Sequence, residues 1–279
     1  MKLISKHLYI VSTPIGNLED ITLRALEVLK NSDIILCEDT RRSIKLLSHY
    51  KIKKRLISYH KFNERKKITN IIEYFNEGKI LSLISDAGTP LLSDPGRLLV
   101  NQCVENEIKV VPIPGVSSVT SALSVSGFDD QFLFYGFLPK TENELEKVLT
   151  TLSKNTYTQI FFIPSIKINF YIKSFKKFFS GRKILIAKEI TKIHETFVRE
   201  EIDELKIFKN PIKGELTIVI SENSTKVKKF DEEKVVNKIK KYLKKYTLKD
   251  TVNLILETEK VNKKKIYELC LKVKNEKNY

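Results

Sequence analysis

Four short apolar runs, each closed by a loop broken by glycine, proline or a charged cluster, fix the class of fold open to this chain. Leu8 to Val11 leads into Thr13-Pro14-Ile15-Gly16-Asn17, and Ile34 to Leu36 into Glu38-Asp39-Thr40-Arg41. Ile80 to Ile84 leads into Ser85-Asp86-Ala87-Gly88-Thr89-Pro90, and Lys109 to Val111 into Pro112-Ile113-Pro114-Gly115. Runs this short and this rich in Ile, Leu and Val read as strands buried on both faces. Between them, Leu23, Leu26 and Leu29 recur at helical spacing, as do Ile68, Ile71, Ile72 and Phe75 before Gly78. Strand, helix, strand in alternation makes βαβ units and hence a parallel sheet. Open parallel sheets take ligands just beyond the carboxyl ends of their strands, where loops converge and helix N-termini offer free N–H groups. All four loops fall at that edge.

A second series of runs, Phe132 to Tyr135, Gln159 to Ile163, Lys183 to Ala187 and Leu216 to Ile220, is separated by polar stretches and by a basic helical segment around Lys173 to Phe179. With 279 residues, 42% of them hydrophobic, the chain is long enough for two cores. The expectation is an α/β protein of two α/β domains with a cleft between them: residues 1–116, then 117–224 after a hinge near Val116 to Gly127. Residues 225–279 have no strand signal. Val235, Ile239, Tyr242 and Tyr246, then Leu248, Val252 and Ile255, then Ile266, Leu269, Cys270 and Val273 follow three-and-four spacing, which predicts a small basic extension of three amphipathic helices.

That extension holds 17 lysines against 8 acidic residues from Thr225 to Tyr279, more than half of the net charge of +16. Such a surface suits a polyanion, or else is a solvated coat of lysine. Cys37, Cys103 and Cys270 are far apart and lack CxxC spacing, so neither a disulfide framework nor a zinc site is indicated and a reducing cytoplasm fits. Leu8 to Val11 is too short for a signal-peptide core, and no run approaches a membrane span.

No GxGxxG follows a strand, and no GxxxxGK[ST] is present, which sets aside a dinucleotide fold and a phosphate loop. Asp86 stands just past a strand, followed by a glycine and a proline, so that backbone approaches a ligand closely while the carboxylate accepts hydrogen bonds. Alone, this is an ordinary Asp/Gly/Pro turn. Two further turns follow, Leu92-Ser93-Asp94-Pro95-Gly96 and Pro114-Gly115-Val116-Ser117-Ser118, the latter at an expected helix start.

Taken in order, the Thr13-Pro14-Ile15-Gly16-Asn17-Leu18, Glu38-Asp39-Thr40-Arg41, Ser85 to Pro90, Asp94-Pro95-Gly96 and Pro112 to Gly115 motifs resemble those of the tetrapyrrole methylase superfamily, and within it the branch that methylates a cytidine ribose of small-subunit ribosomal RNA. Ala187-Lys188-Glu189-Ile190-Thr191-Lys192, His194-Glu195, Lys213-Gly214-Glu215-Leu216-Thr217 and the lysine-rich tail extend the likeness through nearly the whole chain. The resemblance implies a homodimer that binds S-adenosylmethionine in the cleft between its domains. Asp86, Gly88, Thr89 and Pro90 match the cofactor loop, and Ser117 and Ser118 match positions beside the methionine part. Glu215, Leu216 and Thr217 match the segment approaching the adenosine. Three segments depart from the branch. Phe161-Phe162-Ile163-Pro164-Ser165-Ile166-Lys167 replaces Phe-Tyr-Glu-Ser-Pro-His-Arg and lacks acid–base groups. Tyr59-His60-Lys61-Phe62-Asn63-Glu64 replaces Tyr-His-Glu-His-Asn-Glu, and Glu200 stands where glycine often follows Arg199.

Methyl transfer from a sulfonium to a ribose hydroxyl is an in-line displacement that positioning alone accelerates greatly, by about 7–11 kcal/mol. The hydroxyl proton still needs an acceptor. Glu38 or Asp39 is the expected base, with helix capping against Arg41 or Arg42 as their alternative role. Pro14, Gly16, Asn17, Arg41 and His60 are expected on the substrate side, Arg41 for phosphate and His60 as a second base candidate or a packed structural histidine. Tail lysines and Lys173 to Lys177 would neutralise phosphates of small-subunit ribosomal RNA or of the assembled subunit. The rival readings are a methylase of the same superfamily acting on a small tetrapyrrole, and a non-enzymatic ribosome-binding protein. No metal and no membrane enter any of them.

Overall fold

The computed structural model describes residues 4–209, 214–223, 232–258 and 263–275. The chain packs as two compact units, Met1–Asn223 and Ser224–Tyr279.

In the first half of the larger unit, strands β1 (His7–Val11), β2 (Ile34–Cys37), β3 (Arg55–Ser58), β4 (Leu81–Ile84) and β5 (Lys109–Ile113) form one parallel sheet in the order β3-β2-β4-β1-β5. Helices α1 (Leu23–Asn31), α2 (Thr40–His49), α3 (Glu64–Asn76) and α4 (Arg97–Glu105) are the crossovers. Alternate strand residues divide between the two faces. Tyr9, Ile35 and Cys37 pack with Val28, Leu29 and Leu47 of α1 and α2, whereas Leu8, Ile34 and Leu36 pack with Ile71, Phe75 and Leu99 of α3 and α4. Because the crossover after β1 covers one face and that after β4 the other, the sheet reverses its winding between these neighbours. The crevice at their carboxyl ends is a topological switch point.

Strand β3 has no strong apolar run. It is an edge strand whose Arg55 is exposed and whose other residues are half-buried, so the core demands little of its sequence.

The second sheet holds β6 (Phe132–Phe137), β7 (Thr158–Pro164), β8 (Lys183–Lys188), β9 (Thr196–Glu201) and β10 (Glu215–Ile220) in the order β6-β7-β10-β8-β9. Only β6 and β7 run parallel; the other neighbours are antiparallel. Strand β9, Thr-Phe-Val-Arg-Glu-Glu, gives no sequence signal for the same reason as β3: it is an exposed edge. Helices α6 (Glu142–Leu152) and α7 (Ile168–Phe178) cover one face, placing Leu145, Leu149, Tyr171 and Phe175 against Phe161 and Ile218. On the other face, helix α5 (Ser118–Ser124) packs Val119 and Ala122 against Ile160, Leu185 and Val219. The segment expected to be a hinge therefore carries a helix seated on the second sheet.

The basic segment around Lys173 to Phe179 belongs to α7 and is largely a core element. Lys176 donates to the Asp203 carbonyl at 3.1 Å and Lys177 pairs with Glu146, so two of its lysines have local partners.

The smaller unit is a three-helix cluster of α8 (Glu232–Tyr242), α9 (Leu248–Thr258) and α10 (Lys263–Asn275). Val235, Ile239, Val252, Ile255, Ile266 and Cys270 form its core. Tyr246, expected on the first of these helices, lies past its end in the turn before α9 and is exposed. There Thr247 caps α9 by accepting the Asp250 amide at 3.3 Å and donating to the Asp250 carboxylate at 2.6 Å. Among the described residues, no helix is long and apolar enough to cross a membrane.

Candidate active site

The loops beyond β1, β4 and β5 are knitted together at the switch point. Thr13 and Gly88 exchange both backbone hydrogen bonds at 2.9 Å, and the Thr13 hydroxyl donates to the Ser85 carbonyl at 3.2 Å. Thr89 Oγ1 donates its one proton to the Val116 carbonyl at 3.0 Å, so the Ser12 hydroxyl, 3.0 Å away, is the donor in their contact. Gly88 is confined from two sides. Its φ of +78° disfavours any side chain, and a Cβ would stand 3.3 Å from Ile15 Cγ2.

The second lobe closes the crevice with residues that are distant in sequence. The Asn17 amide donates to Thr191 Oγ1 at 3.0 Å, and a Cβ on Gly16 would fall 2.5 Å from Lys192 Cγ. Gly136, at a bulge in β6 with φ +87°, makes room for Ser93 of the first lobe, whose Oγ would be 2.7 Å from a Cβ there. At the start of β10, Glu189 Oε1 accepts the Glu215 amide at 3.0 Å and the Lys192 ammonium at 2.9 Å. Burial works against ionisation of Glu189, but Lys192 and the amide outweigh it and hold the carboxyl below its ordinary range. Gly214, with φ +98°, leaves the space that this carboxylate fills.

Between the lobes lies a cavity of about 400 Å³, within the range of small-ligand sites. One end is acidic: Glu38, Asp86 and Asp94 line it together with Arg42. Burial raises the Glu38 carboxyl above its ordinary range, the negative charges of Asp94 and Asp86 add to this, and His60 and Arg42 oppose it. Asp94 is likewise raised, by burial foremost, against a hydrogen bond from Ser85. Asp86 is tied down by the Asp39 amide at Oδ1 (3.1 Å) and by Arg42 at Oδ2 (3.4 Å). Elsewhere Phe162, Ile163 and Pro164 of β7 and Phe137 of β6 give an apolar, aromatic stretch, while Ser117, Ser118, Glu189, Lys192 and Glu215 add polar and charged groups. Phe137 meets Phe162 edge-on at 5.3 Å.

Of the residues expected at the site, Glu38, Asp86, Gly88, Thr89, Ser117 and Ser118 line this cavity, as do Glu215, Leu216 and Thr217. Pro90 and Pro14 are buried behind their loops. Gly16 and Asn17 serve the contact between lobes.

Asp39 is not in the cavity lining. It is the N-cap of α2, where Oδ1 accepts the Arg41 amide at 2.9 Å and both oxygens receive the Arg41 guanidinium at 3.1 and 2.8 Å. These bonds push its carboxyl down to about 2. A carboxylate so committed is a poor proton acceptor, and of the two base candidates only Glu38 faces the ligand space. Arg41, 87% exposed and paired with Asp39, gives place to Arg42 in the lining. His60 is outside the lining and is bound into its own turn, its Nδ1 accepting the Phe62 amide at 3.3 Å. Arg42, which the sequence offered only as a capping partner, and Asp94, Glu189 and Lys192, which it offered only as members of motifs without a role, also line the cavity. Arg42 directly follows the Glu38 to Arg41 loop and Asp94 lies in the turn after Pro90, so both fall at the loop edge of the sheet; Glu189 and Lys192 face the cavity only through the packing of the lobes.

Residues 7–206 match the family of tetrapyrrole (corrin/porphyrin) methylases. The chain belongs to that family. Among curated relatives, a ribosomal RNA small subunit methyltransferase I from Mesomycoplasma conjunctivae is 43% identical over 238 residues, 85% of this chain and 100% of the relative. One of the same name from Buchnera aphidicola is 39% identical over 272 residues, 95% and 96% of the two chains. Solved tetrapyrrole methylases share the fold at low identity. Cobalt precorrin-4 methyltransferase superposes with a TM-score of 0.55 at 19% identity, covering 77% of this chain and 95% of that one. Uroporphyrin-III C-methyltransferase from Thermus thermophilus, complexed with S-adenosylhomocysteine, gives 0.54 at 16% identity, covering 77% and 97%.

Proposed function

We propose that this member of the tetrapyrrole methylase family is an S-adenosylmethionine-dependent methyltransferase acting on the ribose 2′-hydroxyl of a cytidine in small-subunit ribosomal RNA. The observation that carries the chemistry is the placing of Glu38, with its raised carboxyl, in the same cavity as the Gly88 loop. The names of the full-length relatives support the RNA substrate.

The residues present fit the cofactor. Gly88 exposes backbone where any Cβ would press on Ile15, Ser117 and Ser118 offer hydroxyls, and the carboxylates of the acidic end favour a cationic sulfonium. Thr89 and Ser12 fix the loop, while Glu189 and Lys192 set the start of β10, whose Glu215, Leu216 and Thr217 would flank the adenosine. S-adenosylmethionine, when bound, supplies a methyl group on a positively charged sulfur. In this reading Glu38 would take the hydroxyl proton as the ribose oxygen becomes nucleophilic, and Arg42 and the exposed Arg41 would meet flanking phosphates. Glu38 combines a raised carboxyl with no fixed hydrogen bond of the kind that holds Asp86 among the described residues. A general base nearer neutrality removes a proton more effectively.

A tetrapyrrole substrate is disfavoured by the names of the relatives at 39–43% identity, which are ribosomal RNA methyltransferases. The remaining parts of the reading are a cytoplasmic homodimer with functional segments 1–116, 117–224 and 225–279, the last contributing phosphate contacts. Incubation with labelled S-adenosylmethionine and either small ribosomal subunits or a porphyrinoid tests it. Label in the ribose of one cytidine is expected; label in the porphyrinoid, or in neither, overturns it. Sedimentation of the pure protein tests the dimer.

A further inference from the structure

We propose that Phe62 is a stacking platform for a base that flanks the methylated cytidine in the single-stranded substrate. This rests on the reading of the protein as an RNA methyltransferase and adds an RNA-binding contact to it.

Phe62 is 91% exposed, in the turn between β3 and α3. The turn is held rigid around it. Asn63 Oδ1 accepts the His60 amide at 2.9 Å, Asn63 Nδ2 donates to the Ser58 carbonyl at 3.1 Å, and the Asn63 and Glu64 amides donate to the His60 carbonyl at 2.9 and 3.0 Å. The Phe62 amide itself is taken by His60 Nδ1, and the two rings meet edge-on at 6.1 Å. A large flat ring is thus displayed to solvent on a preorganised turn, with only two side-chain torsions to order on binding.

The segment that carries it is rich in cations, with the one carboxylate among them, Glu64, accepting the Tyr59 hydroxyl at 3.3 Å. Lys61, Arg65 and Lys66 are near neighbours of the ring along the chain, and Arg41 and Arg42 stand at the start of α2 behind the neighbouring strand. Strands β2 and β3 are in register at Cys37 and Ser58, the Tyr59 amide donates to the Cys37 carbonyl at 2.8 Å, and Ser58 Oγ lies 3.5 Å from the Glu38 carbonyl. The turn bearing Phe62 therefore abuts the turn bearing Glu38. Exposed aromatics interleaved with lysine and arginine are how single-stranded nucleic acid is held: cations track the phosphates, and rings stack the bases with little sequence preference. An apolar ligand would bring no counterpart for these cations, whereas a single strand of RNA brings both phosphates and flat bases.

The test uses the full chain, small ribosomal subunits and labelled S-adenosylmethionine. Phe62→Ala is expected to raise KM for the subunit about tenfold, as removal of one base stack should, while S-adenosylhomocysteine affinity and melting temperature are unchanged. Phe62→Trp should restore KM and Phe62→Leu should not. In parallel, 2-aminopurine within a single-stranded oligoribonucleotide should be quenched on binding the wild-type protein and not Phe62→Ala. An unchanged KM in Phe62→Ala, or rescue by Phe62→Leu as good as by Phe62→Trp, overturns the platform while leaving the methyltransferase reading intact. A wild-type protein that binds S-adenosylhomocysteine but neither methylates subunits nor binds the oligonucleotide removes that reading, and the platform with it.

Discussion

The backbone amide of Asp39 donates to Asp86 Oδ1 at 3.1 Å, joining the loop after β2 to the loop after β4 across the acidic end of the cavity. One residue thereby fixes two walls. Asp86 orients the turn that presents Glu38 and, through Arg42, the first turn of α2.

Replacing Asp86 by Ala should lower S-adenosylhomocysteine affinity more than about tenfold, since it removes a charged acceptor from both an amide and a guanidinium. Calorimetry reads the affinity, and a retained melting transition shows that the fold survives. Undiminished binding would move the cofactor out of this pocket.

Gly88→Val is expected to be worse. Its φ of +78° costs a β-branched residue about 1–3 kcal/mol, and the new methyl groups would press on Ile15 of the loop after β1. Gly214→Ala acts on the far wall: a Cβ there would lie 2.3 Å from Glu189 Oε1 and would displace the carboxylate that holds Lys192. Both variants should abolish S-adenosylhomocysteine binding in the same assay.

The pH profile separates the two neighbouring carboxylates. Because the Glu38 carboxyl is raised in the folded protein, its base function should fade as pH falls through that raised value, giving kcat an acid limb above the ordinary glutamate range. The same shift makes folding favour the protonated form. Its contribution to stability is fullest below the unfolded pKa and declines as pH rises through the folded one. Glu38→Gln should lower kcat about 10²–10⁴-fold and abolish the limb.

Asp39 has the opposite sign. Its carboxyl is held down to about 2 from an ordinary 3.8, so its contribution to stability is present above the latter value and disappears as pH falls toward the former. Asp39→Ala should lower the melting temperature by removing the α2 cap and leave the acid limb of kcat in place. Disappearance of that limb would instead make Asp39 the base.

Salt dependence checks the basic unit. Lys240, Lys241, Lys244 and Lys245 are exposed on or just past α8. Changing all four to Gln should flatten the slope of log K against log salt for subunit binding by up to about 3, near 0.7 for each single-strand phosphate that is no longer neutralised. An unchanged slope would leave these lysines as a solvated coat.

Local pattern was sufficient for much of this protein. Runs such as Ile34–Cys37 are buried on both faces, so their apolar character is continuous and their loops stand out; the Asp86 to Thr89 segment reads locally as a turn, and its resemblance to a family motif is what marked it as a cavity wall. The amphipathic spacing of Val235, Ile239 and Val252 likewise foretold a packed three-helix unit. Edge strands β3 and β9 escaped because exposure on one side relaxes the requirement for apolar residues. The choice between Glu38 and Asp39 also lay beyond sequence. Adjacent residues leaving a strand point to different sides, and only the entry angle of α2 determines which carboxylate becomes a helix cap and which faces the ligand. The far wall formed by Glu189, Lys192 and Gly214 exists only once the second sheet docks on the first, since no local rule brings residues so distant in the chain within hydrogen-bond reach.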